Sequence, residues 1–90
     1  MALVTFKSEK KYFDVEKTDV KNNTIRVIDA NDSRFTLIKQ YYNHFLRKLD
    51  IDILCVETQE KFRRHIRNVS YFQDLVILTW DAKEGVNGDM

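Results

Sequence analysis

Proline is absent from these 90 residues, and the two glycines, Gly85 and Gly88, both lie near the C-terminus. Everything before them lacks a glycine for a tight phosphate-binding loop. No serine or threonine sits in the small-residue setting of a nucleophile elbow either. The single cysteine, Cys55, excludes an intrachain disulfide, and with it an extracellular disulfide scaffold. Placed mid-strand in an apolar run, Cys55 reads as a buried, inert thiol. With only His44 and His65 beside it, no zinc spacing arises. No apolar run is long enough to span a bilayer, and MALVTFKSEKK lacks the basic lead and apolar core of a signal peptide. A cytoplasmic or nuclear protein, not secreted and with no membrane association, is the expectation. Nothing calls for a cofactor.

An excess of charge is also missing. Charged residues make up 32% of the chain but nearly cancel, at +1 net. A protein dedicated to coating DNA would be far more basic, although a local basic patch remains compatible. What is present is apolar material: 43% hydrophobic and 12% aromatic residues, ample for a folded core. The length fits one domain, expected over residues 1–82, with a polar, Gly-containing, disordered tail at 83–90.

The strongest pattern follows Asn31, Asp32 and Ser33, all good helix N-caps. At about 100° per residue, Phe35, Ile38, Tyr41, Tyr42, Phe45, Leu46 and Leu49 fall within an arc of roughly 140°. This predicts a long amphipathic helix with an aromatic face, so Tyr42 and Phe45 count as core. Before it, Leu3–Ser8, Lys11–Lys17 and Thr24–Ala30 alternate as strands and suggest an antiparallel meander. After it, Asp50–Glu57 reads as a strand. A second helix, capped by Thr58 and ending near Ser70, turns Phe62, Ile66 and Val69 inward. Asp74–Asp81 is the most apolar strand. The predicted fold is α+β: a mixed sheet of about five strands with two helices, in the order β-β-β-α-β-α-β. The strands starting at Thr24, Asp50 and Asp74 should then run parallel through right-handed crossovers.

This layout contains a conflict. Leu75, Val76, Ile77 and Leu78 are continuous, as in a strand covered on both faces. Two helices wound the same way cover only one face. The other would show Ile28, Leu54 and Val56, with Tyr12 nearby, and one side of the last strand. Either the helices lie on opposite faces or a partner covers the second one.

Two sets of charges could carry chemistry. Lys61, Arg63, Arg64 and Arg67 follow Glu60 with no further acid, so the second helix should have a basic face able to grip phosphates or carboxylates. Solvation is the default role of such a face. Acids gather at the expected strand ends: Asp29 and Asp32, Glu57, and Asp81. In open α/β sheets that edge hosts sites, and two or three carboxylates there could hold Mg²⁺. Asp81-Ala82-Lys83-Glu84-Gly85 is similar to the D-x-D-x-x-G turn of Toprim nucleotidyl domains. There a partner glutamate ends an earlier strand, as Glu57 does here, but Lys83 replaces the second aspartate. Helix capping and ordinary strand-end polarity account for the same acids. Asp50 and Asp52 share a face at the start of a strand, where solvation is the simplest reading. Tyr12, Tyr71 and Trp80 could stack bases or anchor a protein interface.

The function that fits best is a small, non-catalytic protein-interaction or regulatory module. It would bind a protein partner or a second copy of itself. The expected partner-binding residues are Lys61, Arg63, Arg64 and Arg67 with Val56, Trp80 and Tyr12. No catalytic and no metal-binding residue is assigned. The alternatives are a nucleic-acid binder using the Arg63/Arg64/Arg67 helix, and a Mg-dependent enzyme using the strand-end carboxylates.

Overall fold

The computed structural model describes residues 2–81. Their elements run β1 (Leu3–Ser8), α1 (Lys10–Lys17), β2 (Asn23–Val27), α2 (Ser33–Tyr42), β3 (Asp50–Cys55), β4 (Lys61–Phe72) and β5 (Leu75–Trp80). They make one small α+β domain with a mixed five-stranded sheet in the order β1-β3-β4-β5-β2. Only β1 and β3 run parallel; the other neighbours are antiparallel. β4 is the spine, because it pairs with β3 along its first half and with β5 along its second.

Two elements depart from the order expected from sequence. Residues 10–17 are a helix, not a strand, and residues 61–72 are a strand, not a helix. The strand that follows residue 22 therefore runs antiparallel to β5 at the sheet edge, rather than parallel within an α/β core. Both departures trace to a buried charge. α1 buries Phe13 and Glu16, spaced i, i+3; counting Glu16 as polar makes the segment look alternating. In β4 the inward residues are Phe62, Arg64, Ile66 and Val69. A register shift between Ile66 and Asn68 advances the strand by one residue. With Arg64 discounted, the apolar spacing becomes 62, 66, 69, which imitates a helix.

The main helix is also shorter than its pattern. α2 stops at Tyr42, and residues 43–49 form the loop that returns Leu49 to the core before β3. A helix running to Leu49 leaves no connector before a strand that starts at Asp50, and αβ connections need a few residues. Phe45 donates its amide to Gln40 and His44 to Tyr41, closing the helix end as a Schellman-type cap. The left-handed position of such a cap normally takes glycine. Here His44 occupies it, at φ 68°, in a region of the chain that contains no glycine. Consequently Tyr42 and Phe45 lie outside the core, and Phe45 is 79% exposed. The tail expected at 83–90 lies outside the described residues.

Both helices pack on the same, concave face. Phe13 of α1 meets Phe62 at 5.2 Å between ring centroids, and Phe35 of α2 meets Phe6 at 5.8 Å. Val4, Ile51, Ile53, Ile66, Val69, Val76, Leu78 and Trp80 complete one core with Ile38. Arg64 enters this core with its donors engaged. It donates to the Lys17 and Arg63 carbonyls at 2.7 and 2.9 Å, and its Nε lies 3.4 Å from Asp19. Trp80 Nε1 donates to the same Asp19 oxygen at 3.3 Å. Removing the guanidinium withdraws its donors from the Lys17 and Arg63 carbonyls and one partner from Asp19, a loss on the order of 3 kcal/mol. Arg64→Leu should therefore lower chemical-denaturation stability by about 3 kcal/mol, whereas Arg67→Leu on the exposed face should change it by less than about 0.5 kcal/mol. Equal effects would contradict the assignment.

Candidate interaction surface

Strand alternation gives the sheet a convex outer face that neither helix covers. Its two halves differ in chemistry. On one half the register aligns Thr5, Asp52 and Arg63, then Leu3, Asp50 and His65. Arg63 grips Asp52 through two nitrogens at 2.7 and 3.0 Å, with Lys61 at 3.6 Å. Asp52 is only 2% exposed beneath them, and the Arg63 hydrogen bond holds its carboxyl below the usual carboxylate range. His65 Nδ1 lies 2.6 Å from Asp50. Asp50 and Asp52, expected as a solvated strand start, are thus buried and paired.

The other half is apolar. One row reads Phe72, Leu75, Val27, and the next Ser70, Ile77, Ile25. Phe72, Val27 and Ile25 are 62%, 64% and 51% exposed. No described Lys, Arg, Asp or Glu stands in either row. The last strand, apolar on both sides, hence turns Leu75 and Ile77 to this face, where they are only half-buried. The patch continues around the sheet end. Behind it, a cleft of about 910 Å³ is lined by Ile28, Phe35, Phe45, Tyr71, Lys39 and Gln73. Tyr42 packs edge-on against Tyr71 at 4.9 Å, and the Lys39 ammonium sits 5.0 Å from the Tyr71 ring centre.

The residues singled out from sequence are dispersed. Lys61 and Arg63 lie on the charged half of the outer face, engaged by Asp52. Arg64 faces the core, so the three arginines share no helix face. Arg67 is exposed, 3.6 Å from Asp81. Trp80 is fully buried and serves the core. Val56 is exposed in the turn after β3, and Tyr12 is half-exposed on α1 under Lys11. Ile28 lines the cleft rather than the outer face.

The strand-end carboxylates have separate tasks. Asp32 caps α2, accepting the Arg34 amide at 3.0 Å. Asp29 closes a turn on the Asn31 amide at 2.9 Å. Glu57 accepts the first free amide of α1, from Lys10, at 3.1 and 3.2 Å. Among the described residues, no group of three or more His, Cys, Asp or Glu side chains converges as a metal site. Apart from Asp81, the Toprim-like turn lies outside the described residues.

No protein-family model matches the chain, and no curated protein is detectably similar to it. Among the described residues, no helix is long and apolar enough to cross a membrane.

Sequence reasoning missed Glu16. Its carboxylate is 2% exposed at the base of a small recess, 3.4 Å from Lys21, and one of its oxygens has no hydrogen-bond partner. Burial pushes its pKa up, against the pull of Lys21. The folded state therefore holds this proton more tightly than the unfolded chain. The cost of ionising Glu16 is present at neutral pH and disappears as pH falls through the raised pKa. The difference in Tm between Glu16→Gln and the parent should accordingly shrink as pH drops from neutral into the ordinary carboxylate range. A difference that stays constant over that interval would refute this.

Proposed function

We propose that this domain is a protein-interaction module that works through the apolar half of its outer sheet face. The observation that carries the reading is the pairing of two facts. Both helices pack on the concave face. Phe72, Val27 and Ile25 stand exposed in adjacent rows on the convex one. Exposed apolar residues scattered singly are ordinary, but neighbouring ones on a sheet mark contact sites. At about 25 cal/mol per Å², covering a few hundred Å² of such surface supplies several kcal/mol. An aromatic residue flanked by aliphatic ones also suits the buried centre of an interface.

The chemistry favours a protein over a nucleic acid at this face. The patch carries no cation, and the neighbouring Lys61 and Arg63 are already engaged by Asp52. The simplest occupant is a second copy, since a two-fold contact covers the same patch on both chains. Light scattering at micromolar concentration should give the mass of a dimer. Phe72→Glu and Val27→Glu should each return a monomer whose circular dichroism is unchanged. A monomeric parent whose mass neither substitution alters would overturn the proposal.

A further inference from the structure

A second recess, of about 760 Å³, lies at the C-terminal end of α2, between the loop that follows the helix and β4. It is distinct in chemistry from the apolar cleft, which it borders at Asn43. His44, Arg47 and Arg67 all line it, together with Asn43 and Asn68, and no acidic residue among the described ones does. Cationic and amide donors from two separate elements therefore meet in one concavity.

The backbone explains how they meet. Arg67 is the extra residue of the β4 irregularity: Ile66 pairs with Trp80 and Asn68 with Thr79, so Arg67 has no partner in the ladder. Such bulges re-aim a side chain away from the strand's regular alternation. On the other wall, the left-handed His44 turns the chain sharply out of α2 and leads into Arg47. Tyr41 ties the walls together by donating its hydroxyl to the Ile66 carbonyl at 3.1 Å, immediately before the bulge. The cations are not occupied by the helix end. The carbonyls of Lys39, Gln40 and Tyr41 already accept the amides of Asn43, Phe45 and His44. Among the described residues, the acid paired with Arg67 is Asp81, in a contact exposed on both sides and 3.6 Å long. Such a contact is weak enough for a better acceptor to displace.

The geometry points to an oxyanion site in which Arg47, Arg67 and His44 hold the phosphate of a small organic phosphate monoester. Arginine forks match phosphate oxygens, and Asn43 adds a neutral amide to the lining, whereas the Asn68 amide donates to Ser70 at 3.2 Å. Tyr42 also lines the recess and is an aromatic partner for the organic part. A recess of this volume falls in the range that holds a ligand of mononucleotide size. A polymer fits less well. On the outer face, Lys61 and Arg63 are engaged by Asp52 rather than free to follow a nucleic-acid backbone.

The test is a titration followed by amide chemical shifts, with inorganic phosphate, a nucleoside monophosphate and a short single-stranded oligonucleotide as separate probes. Saturable shifts at His44, Arg67 and Asn68 are expected with the first two, tighter for the monophosphate. Arg47→Gln and Arg67→Gln should each weaken this binding about tenfold, while Arg63→Gln leaves it unchanged. Thermal unfolding of each variant separates lost binding from lost structure. Absence of saturable binding by both small probes would overturn the proposal. So would binding that Arg47→Gln and Arg67→Gln leave intact in folded protein, or binding confined to the oligonucleotide.

Discussion

Strand β1 is an edge strand, and its even-numbered residues turn their backbone groups toward β3, as the bonds at Ala2 and Ser8 define. Residues 3, 5 and 7 consequently face the open side. Two of those carbonyls are met by guanidinium groups, one from the first turn of α2 and one from the opposite edge strand. Arg34 donates to Thr5 at 2.7 Å, and Arg26 of β2, the opposite edge strand, donates to Lys7 at 2.8 Å. Both stack on the Phe6 ring, at 4.3 and 4.9 Å from its centre. The sheet thus curls until its two edges are bridged by arginine rather than by a ladder. A bare edge is a template for uncontrolled pairing, and this closure occupies it. The curl also encloses the concave core and leaves the convex face outermost.

Charge is the currency of this closure, and it shapes the core's margins. Burial pulls the Arg26 pKa down, Glu16 counteracts that, and the neighbouring Arg34 charge adds to it. Asp32 does the opposite for Arg34, raising its pKa by a direct hydrogen bond. Arg64 does for α1 what Arg26 does for β1: it carries a donor from the sheet to a backbone carbonyl of a neighbouring element. A domain this small has too little apolar surface to seal every seam with hydrocarbon. Hydrogen-bonded guanidinium groups with long aliphatic stems fill the remaining seams.

That economy decides what could be read in the sequence. β1, β3 and β5 were legible because their inward residues are apolar or nearly so, and β2 because its β-branched residues alternate, although the apolar ones, Ile25 and Val27, face outward and Thr24 and Arg26 face inward. The fold class followed from them and from α2, whose cap at Asp32 was also legible. α1 and β4 were not, because Glu16 and Arg64 face the core and a pattern of apolar residues counts them as outside. The β4 bulge compounded the error by adding a residue of phase. The outer face was partly foreseeable: an apolar last strand with only two helices implied an uncovered side. Its centre was not. Phe72 and Val27 become neighbours through the pairing of β5 with both β4 and β2, and no local pattern encodes that pairing. The convergence of Arg47 and Arg67 is likewise a product of tertiary structure.

The arginine closure is tested most directly by native-state amide hydrogen exchange on the Arg26→Gln, Arg34→Gln double variant. If guanidinium bridging holds the curl, amides of β1 should exchange about tenfold faster than in the parent, while Val69, Val76 and Leu78 keep their protection. Unchanged protection in β1, or an equal loss across all five strands, would contradict it.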